Sequence, residues 1–270
     1  MTGQAASFVG TIPAHYDQEM GPVIFEHYAA DVARRVAATK PMQVLELAAG
    51  TGIVTRALRN ALPKRAQLTA TDLNPPMLEV ARAKFNPREK VAFEQADATA
   101  LPFKDAAFDA VACQFGVMFF PDKDKSYHEV RRVLVRGGRY VFNVWDSQKH
   151  NPFGRLVHEI VCNFFAVDPP SFYQVPFGYH LIDPIKESLI EAGFTGLKVE
   201  VLRIVHEIRD VAGFARGLVY GNPMIDQIKE RGGVDPDRIV GVIADTFHRE
   251  FGANKNRMPL QAIVFEATAA

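Results

Sequence analysis

Cysteine is scarce in this 270-residue chain: Cys113 and Cys162 stand alone, with no Cys-x-x-Cys pair and no cysteine–histidine spacing. Disulfide frameworks and zinc sites need more than that, so two inert thiols in a reducing compartment are expected, and no metal. Net charge is also absent, because 31 Lys and Arg balance 31 Asp and Glu. Without an overall positive field a polyanion has little to hold it, so nucleic acid is not an expected partner. The pairs Arg34-Arg35 and Arg131-Arg132 read as solvated helix faces. No apolar run approaches the ~18 residues of a membrane span, and Met1 to Gly10 lacks the basic and apolar regions of a secretory leader. A cytoplasmic location is the expectation. Repeats and low-complexity tracts are missing too, which removes solenoids and fibres.

What is present is an ordinary supply of core: 48% of the residues are hydrophobic, enough for one large domain with insertions at ~150 residues per domain. Between residues 41 and 145 short apolar runs alternate with amphipathic stretches, the signature of a doubly wound, mostly parallel α/β sheet. The predicted strands are Gln43 to Leu47, Gln67 to Thr71, Val91 to Gln95, Phe108 to Cys113 and Tyr140 to Val144. Predicted helices run from Ile53 to Leu62, from Pro75 with Asn74 as its cap, and from Lys123 to Val135 with Gly137-Gly138 as a left-handed stop. Beyond Asp146 a helix carries Phe153, Leu156, Val157, Ile160, Val161, Phe164 and Phe165 on one face, and an irregular stretch follows from Asp168 to Tyr179. A helix from Pro184 to Ala192, a strand from Leu197 to Ile204, a helical insertion from Asp210 to Phe251 and a last strand from Leu260 to Glu266 complete the chain.

In such a sheet the ligand crevice lies beyond the carboxyl ends of the strands. Four strand ends carry suitable residues. Glu46 to Gly52 forms a small-residue turn that admits a ligand near the backbone, with helix N–H groups beyond it. Asp72 follows about twenty residues later, where a carboxylate can accept both hydroxyls of a ribose. Asp97-Ala98 and Gln114-Phe115 close the third and fourth strands.

These segments resemble the class I S-adenosylmethionine-dependent methyltransferases, and in particular the small-molecule branch that includes the quinone-biosynthesis C-methyltransferases. The resembling stretches are VLELAAGTG (Val44 to Gly52), TATDLNPPML (Thr69 to Leu78), FEQADATALPF (Phe93 to Phe103), FDAVACQFGVMFFPD (Phe108 to Asp122) and RVLVRGGRYVFNVWD (Arg132 to Asp146). The resemblance implies a seven-stranded Rossmann-like sheet whose last strand is antiparallel, and S-adenosylmethionine as cofactor. It places the Ala48, Gly50 and Gly52 backbone at the methionine part, with Glu46 orienting the turn. Asp72 would take the ribose, Leu73 and Met77 would face the adenine, Asp97 and Ala98 would bind its edge, and Gln114 and Phe115 would line the methionine end. Ala48 stands where the family often has glycine, which requires a backbone there without positive φ. Arg136 precedes Gly137-Gly138 where proline is common. Asn74-Pro75-Pro76-Met77 has the look of the Asn-Pro-Pro-aromatic motif of amino-directed nucleobase methyltransferases. It follows the second strand rather than the fourth, and Met77 fills the aromatic slot, so it reads as a helix start.

The resemblance divides one domain into an N-terminal helical cap (1–40), a cofactor core (41–145) and two acceptor-lid insertions (146–183 and 210–252). Methyl transfer from a sulfonium is an in-line displacement in which positioning can supply much of the catalysis. No catalytic residue is fixed by the sequence; His15, Tyr16 and His150 are the candidates, with His27, His180 and His206 as further histidines able to act as a base. Tyr16 sits where related enzymes often have a Tyr-Asp pair. Phe153, Phe164, Phe165, Phe172, Tyr173, Phe177, Tyr179, Phe214 and Tyr220 make the insertions aromatic, which favours a small apolar or aromatic acceptor. A homodimer stays open as an assembly. Two other functions stay open beside methyl transfer. A nicotinamide-dependent oxidoreductase is weakened by Gly50-Thr51-Gly52-Ile53-Val54-Thr55, which lacks the third glycine of the dinucleotide fingerprint. The other is a cofactor-binding protein without transferase activity.

Overall fold

A computed structural model describes residues 5–270. It opens with helix α1 (Ile12–His15), a π-helical stretch (Tyr16–Phe25) and α2 (Glu26–Ala37). The core follows as β1 (Gln43–Leu47), α3 (Ile53–Ala61), β2 (Gln67–Asp72), α4 (Pro75–Ala83), β3 (Val91–Gln95), β4 (Phe108–Gln114), α5 (Lys123–Val133) and β5 (Leu134–Trp145). The first insertion holds α6 (Pro152–Phe164) and α7 (Gln174–Gly178) and leads through α8 (Ile182–Glu191) to β6 (Phe194–Glu207). The second holds α9 (Val211–Tyr220), α10 (Met224–Arg231) and α11 (Pro236–Phe251) before β7 (Arg257–Ala269).

The seven strands make one sheet in the order β3-β2-β1-β4-β5-β7-β6. All neighbours are parallel except β7, which runs against both β5 and β6. The expected seven-stranded, mostly parallel sheet with an antiparallel last strand is therefore present. Strand order reverses between β1 and β4, and a ligand crevice opens at such a switch point. Central strands are buried on both sides because helices cover both faces: Val44 to Leu47 of β1 are all buried, Glu46 among them. Helix α2 follows the same logic with one stripe, burying Tyr28, Ala29, Val32, Ala33 and Val36 against the sheet. Its buried Arg35 pairs with Asp31, Glu200 and Glu266, tying the N-terminal cap to the β6–β7 edge.

Three expectations need correction. Gly137-Gly138 does not stop a helix. Helix α5 ends at Val133, Leu134 is already extended, and both glycines lie in β5. There Leu134 pairs with Phe108 and Arg139 with Ala110, so five steps on one strand face two on the other, and Gly137 supplies the bulge with φ +78°. Asn74 does occupy the cap position of α4, yet its side chain makes no capping hydrogen bond. The stretch from Asp168 to Tyr179 is not wholly irregular, since α7 lies within it. The N-terminal cap is unusual in being π-helical across Pro22, which lacks the N–H that an α-helical turn would need.

Candidate active site

One cavity of about 220 Å³ opens at the carboxyl ends of β1 to β5, lined from every strand end that the sequence marked. Its floor is set by hydrogen bonds between β1 and β2. The Ala49 N–H donates to the Thr71 carbonyl at 2.9 Å, and the Thr71 hydroxyl donates to the Glu46 carbonyl at 2.8 Å. Asp72, 7% exposed, then faces the turn: its Oδ2 accepts the Gly50 N–H at 2.9 Å. Its Oδ1 accepts the Asn74 N–H at 2.8 Å and the Asn74 amide at 3.2 Å. The acidic group and the small-residue turn are thus joined in one cleft. Burial raises the Asp72 carboxyl above its ordinary range, while the donors from Asn74 and Gly50 oppose the shift.

Ala48 corrects a second reading of the turn. Its φ is +51°, so an alanine holds the left-handed backbone that glycine adopts freely. A Cβ at Gly116, in the loop after β4, would lie 2.5 Å from the Ala48 Cβ and 2.7 Å from Cys113 Sγ. The missing side chain at Gly116 is what makes room for the methyl at Ala48. Phe115 is also left-handed, with φ +49°, held by its N–H donating to the Asn143 carbonyl at 3.1 Å and side-chain oxygen at 3.0 Å. Its ring stacks on Trp145 with centroids 3.9 Å apart, and Tyr28 meets both rings edge-on.

Of the sequence candidates, Ala48, Gly50, Asp72, Leu73, Met77 and Asp97 line the cavity, as do Ala98, Gln114 and Phe115. Leu73 is half exposed at the rim, and Asp97 uses Oδ1 on the Thr99 N–H and hydroxyl, both at 2.8 Å, which leaves Oδ2 for a ligand. Glu46 and Gly52 do not line it. Glu46 is 1% exposed behind the turn, its Oε2 without a partner among the described residues, and burial, reinforced by Asp72, pushes its carboxyl up to about 8. Gly52 packs on α4, where a Cβ would come 3.0 Å from that of Ala81.

Tyr16 lines the cavity, stacks on Phe25 at 4.8 Å and would sit 3.9 Å from a Cβ at Gly50. Burial, with Asp72 and Asp17 adding, raises its hydroxyl, so the phenol stays protonated and is suited to donate a hydrogen bond rather than to abstract a proton. His15 and His150 are not at the cavity: His15 pairs with Glu19 at 3.0 Å and His150 sits in the turn after β5. Indeed, among the described residues no histidine, lysine or arginine lines the cavity. From the first insertion Phe153, Phe172, Tyr173 and Phe177 reach it, whereas Phe164, Phe165, Tyr179, Phe214 and Tyr220 do not. The Tyr173 hydroxyl donates to the Leu218 carbonyl at 2.9 Å and takes a longer contact from Asn222 at 3.4 Å, which joins the two insertions at the cavity wall.

Sequence reasoning missed Ala6, Phe8, Phe25, Met118, Trp145 and Asn222, all of which line the cavity. They come from the N-terminal segment, the loop after β4, the end of β5 and the second insertion. Among the described residues there is no group of three or more metal-ligating side chains and no helix long and apolar enough to cross a membrane.

Comparison with known proteins gives this geometry relatives. Residues 45–142 match the family described as a methyltransferase domain. Demethylmenaquinone methyltransferase of Thermus thermophilus is 42% identical over 121 residues, covering 44% of this chain and 54% of that protein. The ubiquinone/menaquinone biosynthesis C-methyltransferase UbiE of Shewanella frigidimarina is 38% identical over 119 residues, 43% of this chain and 47% of that one. The match thus spans about half the length of these relatives. Phosphoethanolamine N-methyltransferase 2 of Haemonchus contortus, solved in complex with S-adenosyl-L-methionine, shares the fold with a TM-score of 0.59 and 19% identity, over 95% of this chain and 56% of that one. The nicotinamide alternative finds no support in these likenesses. Residues 45–142 form a methyltransferase domain of the class I, S-adenosylmethionine-dependent fold, similar in sequence to the quinone C-methyltransferases.

Proposed function

We propose that the protein binds S-adenosylmethionine in this cleft and moves its methyl group to a small, uncharged aromatic acceptor of the quinol type. The observation that carries the reading is the buried Asp72 carboxylate held against Gly50 at the cavity floor, two groups that a ribose diol and an amino-acid tail would need side by side. The residues fit that cofactor: Asp72 to accept the ribose hydroxyls, Leu73 and Met77 for the adenine face, and Asp97 Oδ2 for its amino group. The backbone of Ala48 to Gly50 and the amide of Gln114 fit the methionine end. When bound, S-adenosylmethionine supplies a methyl group already activated by the positive sulfur. The chain's part is to orient, to exclude water and to favour the acceptor's approach in line.

The acceptor follows from the rest of the wall. Phe25, Phe119, Phe153, Phe172 and Phe177 offer apolar faces, and the absence of lysine, arginine and histidine among the described residues of the wall leaves an anionic acceptor group without a counter-ion. No imidazole stands ready as base, which suits an acceptor whose ring carbon is made nucleophilic by its own hydroxyls. The names of the two sequence relatives point the same way. Calorimetry with S-adenosylmethionine, then labelled-methyl transfer to naphthoquinols, phenols, amines and carboxylates, tests the reading. Transfer to quinols or phenols is expected, with acids bearing a carboxylate on the ring poorer. Cofactor binding with no transfer across the panel removes the transferase reading, and failure to bind removes the cofactor as well.

A further inference from the structure

Asn74 stands where a helix cap is needed, directly before Pro75 at the start of α4, and asparagine there normally accepts a hydrogen bond from the first turn of the helix. This one does not. Its side chain turns away from the helix instead. Oδ1 accepts the Phe8 N–H at 3.2 Å, and Nδ2 donates to the Ala6 carbonyl at 3.0 Å and to Asp72 Oδ1 at 3.2 Å. The amide therefore pairs with a backbone N–H and a backbone C=O two residues apart, as another peptide group would, while keeping one donor on the Asp72 carboxylate.

The segment it holds covers the cleft. Ala6 and Phe8 both line the cavity. The Phe8 ring meets Tyr16 and Phe119 edge-on, each at 5.9 Å, and Phe172 at 6.5 Å, so three separate stretches of chain close round it. Among the described residues, the side-chain hydrogen bonds to this strap come from Asn74. Opening the strap breaks both and frees the amide that also steadies Asp72.

We propose that Asn74 is a positioning residue that clasps the strap Ala6–Phe8 over the cleft and couples its closure to the orientation of Asp72. By reciprocity, a ligand held by Asp72 tightens the strap, and a loosened strap weakens the ligand. The inference rests on the cofactor reading of the cleft for its choice of ligand, S-adenosylhomocysteine, and on the apo protein for the clasp itself.

The test uses Asn74→Ser, which keeps a good capping residue but is too short to span Asp72 and the strap, together with Asn74→Ala, Phe8→Ala and the Phe8→Ala/Asn74→Ser double variant. Hydrogen exchange of the Phe8 amide is measured without ligand, and affinity and dissociation rate are measured with S-adenosylhomocysteine. Expected are faster exchange at Phe8 and about tenfold weaker binding in both Asn74 variants, which is about 1.4 kcal/mol. The loss should fall mainly on the dissociation rate. The Phe8→Ala substitution should weaken the wild type but add little to Asn74→Ser, since both release the same strap. A purely structural cap predicts the opposite, with Asn74→Ser like the wild type and only Asn74→Ala impaired. That pattern, unchanged Phe8 exchange, or fully additive losses each overturn the proposal. A wild type that binds no S-adenosylhomocysteine ends the cofactor reading instead, and Phe8 exchange then still decides the clasp.

Discussion

Asp72 meets three donors with two oxygens, and a ribose diol would add to them rather than replace the bond from Gly50. Replacing it by alanine should therefore weaken S-adenosylmethionine binding by roughly 1–3 kcal/mol, the usual cost of leaving hydrogen-bonding groups unmatched. Calorimetry measures this directly, and an unchanged affinity would remove Asp72 from the ribose. Ala48 makes a different kind of prediction. A non-glycine residue at φ +51° carries strain of order 1 kcal/mol, while glycine at the same site loses ~0.4–1 kcal/mol through the freedom it adds to the unfolded chain. The two nearly cancel. Ala48→Gly should be as stable as the parent, or up to about 1 kcal/mol more so, in urea unfolding; a loss beyond that would mean that the methyl packs more tightly against Gly116 than its strain costs.

Helices and strands transmit these local demands. Helix α9 and its C-cap Gly221 lie on the π-helical stretch through two glycines: a Cβ at Gly217 would fall 2.8 Å from that of Glu19, and one at Gly221 would lie 2.6 Å from the Gly217 carbonyl oxygen, 2.8 Å from Met20 Sδ and 3.0 Å from the Tyr16 N. Gly221→Ala should thus push α9 and Tyr16 apart, costing ~1–3 kcal/mol of stability as overpacking does and loosening the cofactor end of the cavity. A thermal melt and a binding titration check both parts, and a variant unchanged in each would show that the seam yields. Strands β1 to β4 were legible because each is a short run holding aliphatic, β-branched or aromatic residues between turn signals, ending in a polar or small residue. Asp72, Asp97 and Gln114 could be placed for the same reason. Phe8, Trp145 and Asn222 could not, because nothing local distinguishes an aromatic or amide that faces a cavity from one that packs a core. Gly137-Gly138 misled for a physical reason too, since a helix stop and a strand bulge both need φ above zero, and the residues alone do not say which. At Ala48 the sign of a left-handed backbone was the glycine that related chains often carry there, and an alanine in its place pointed the other way.

Across the whole molecule the carboxyl groups pull stability in opposite directions with pH. Glu89 and Glu129 are held below their ordinary range by hydrogen bonds from Arg56 and Arg132, so their contribution is present above that range and lost on acidification. Glu46 is the reverse case. Burial raises it from the ordinary 4.5 to about 8, so the folded chain binds a proton that the unfolded chain releases. Its contribution is complete below 4.5 and falls as pH rises toward 8, above which the loss is constant. Asp72, raised by burial beside it, adds with the same sign. The ligand-free protein should therefore be most stable on the acid side of neutrality, and Glu46→Gln, which cannot ionise, should lose less as pH rises. Melting temperatures of the two proteins, taken from about pH 5 to about pH 9, should diverge until near pH 8 and then run parallel. Parallel curves throughout would show that the buried Glu46 carboxyl behind the turn does not titrate within this range in the folded chain.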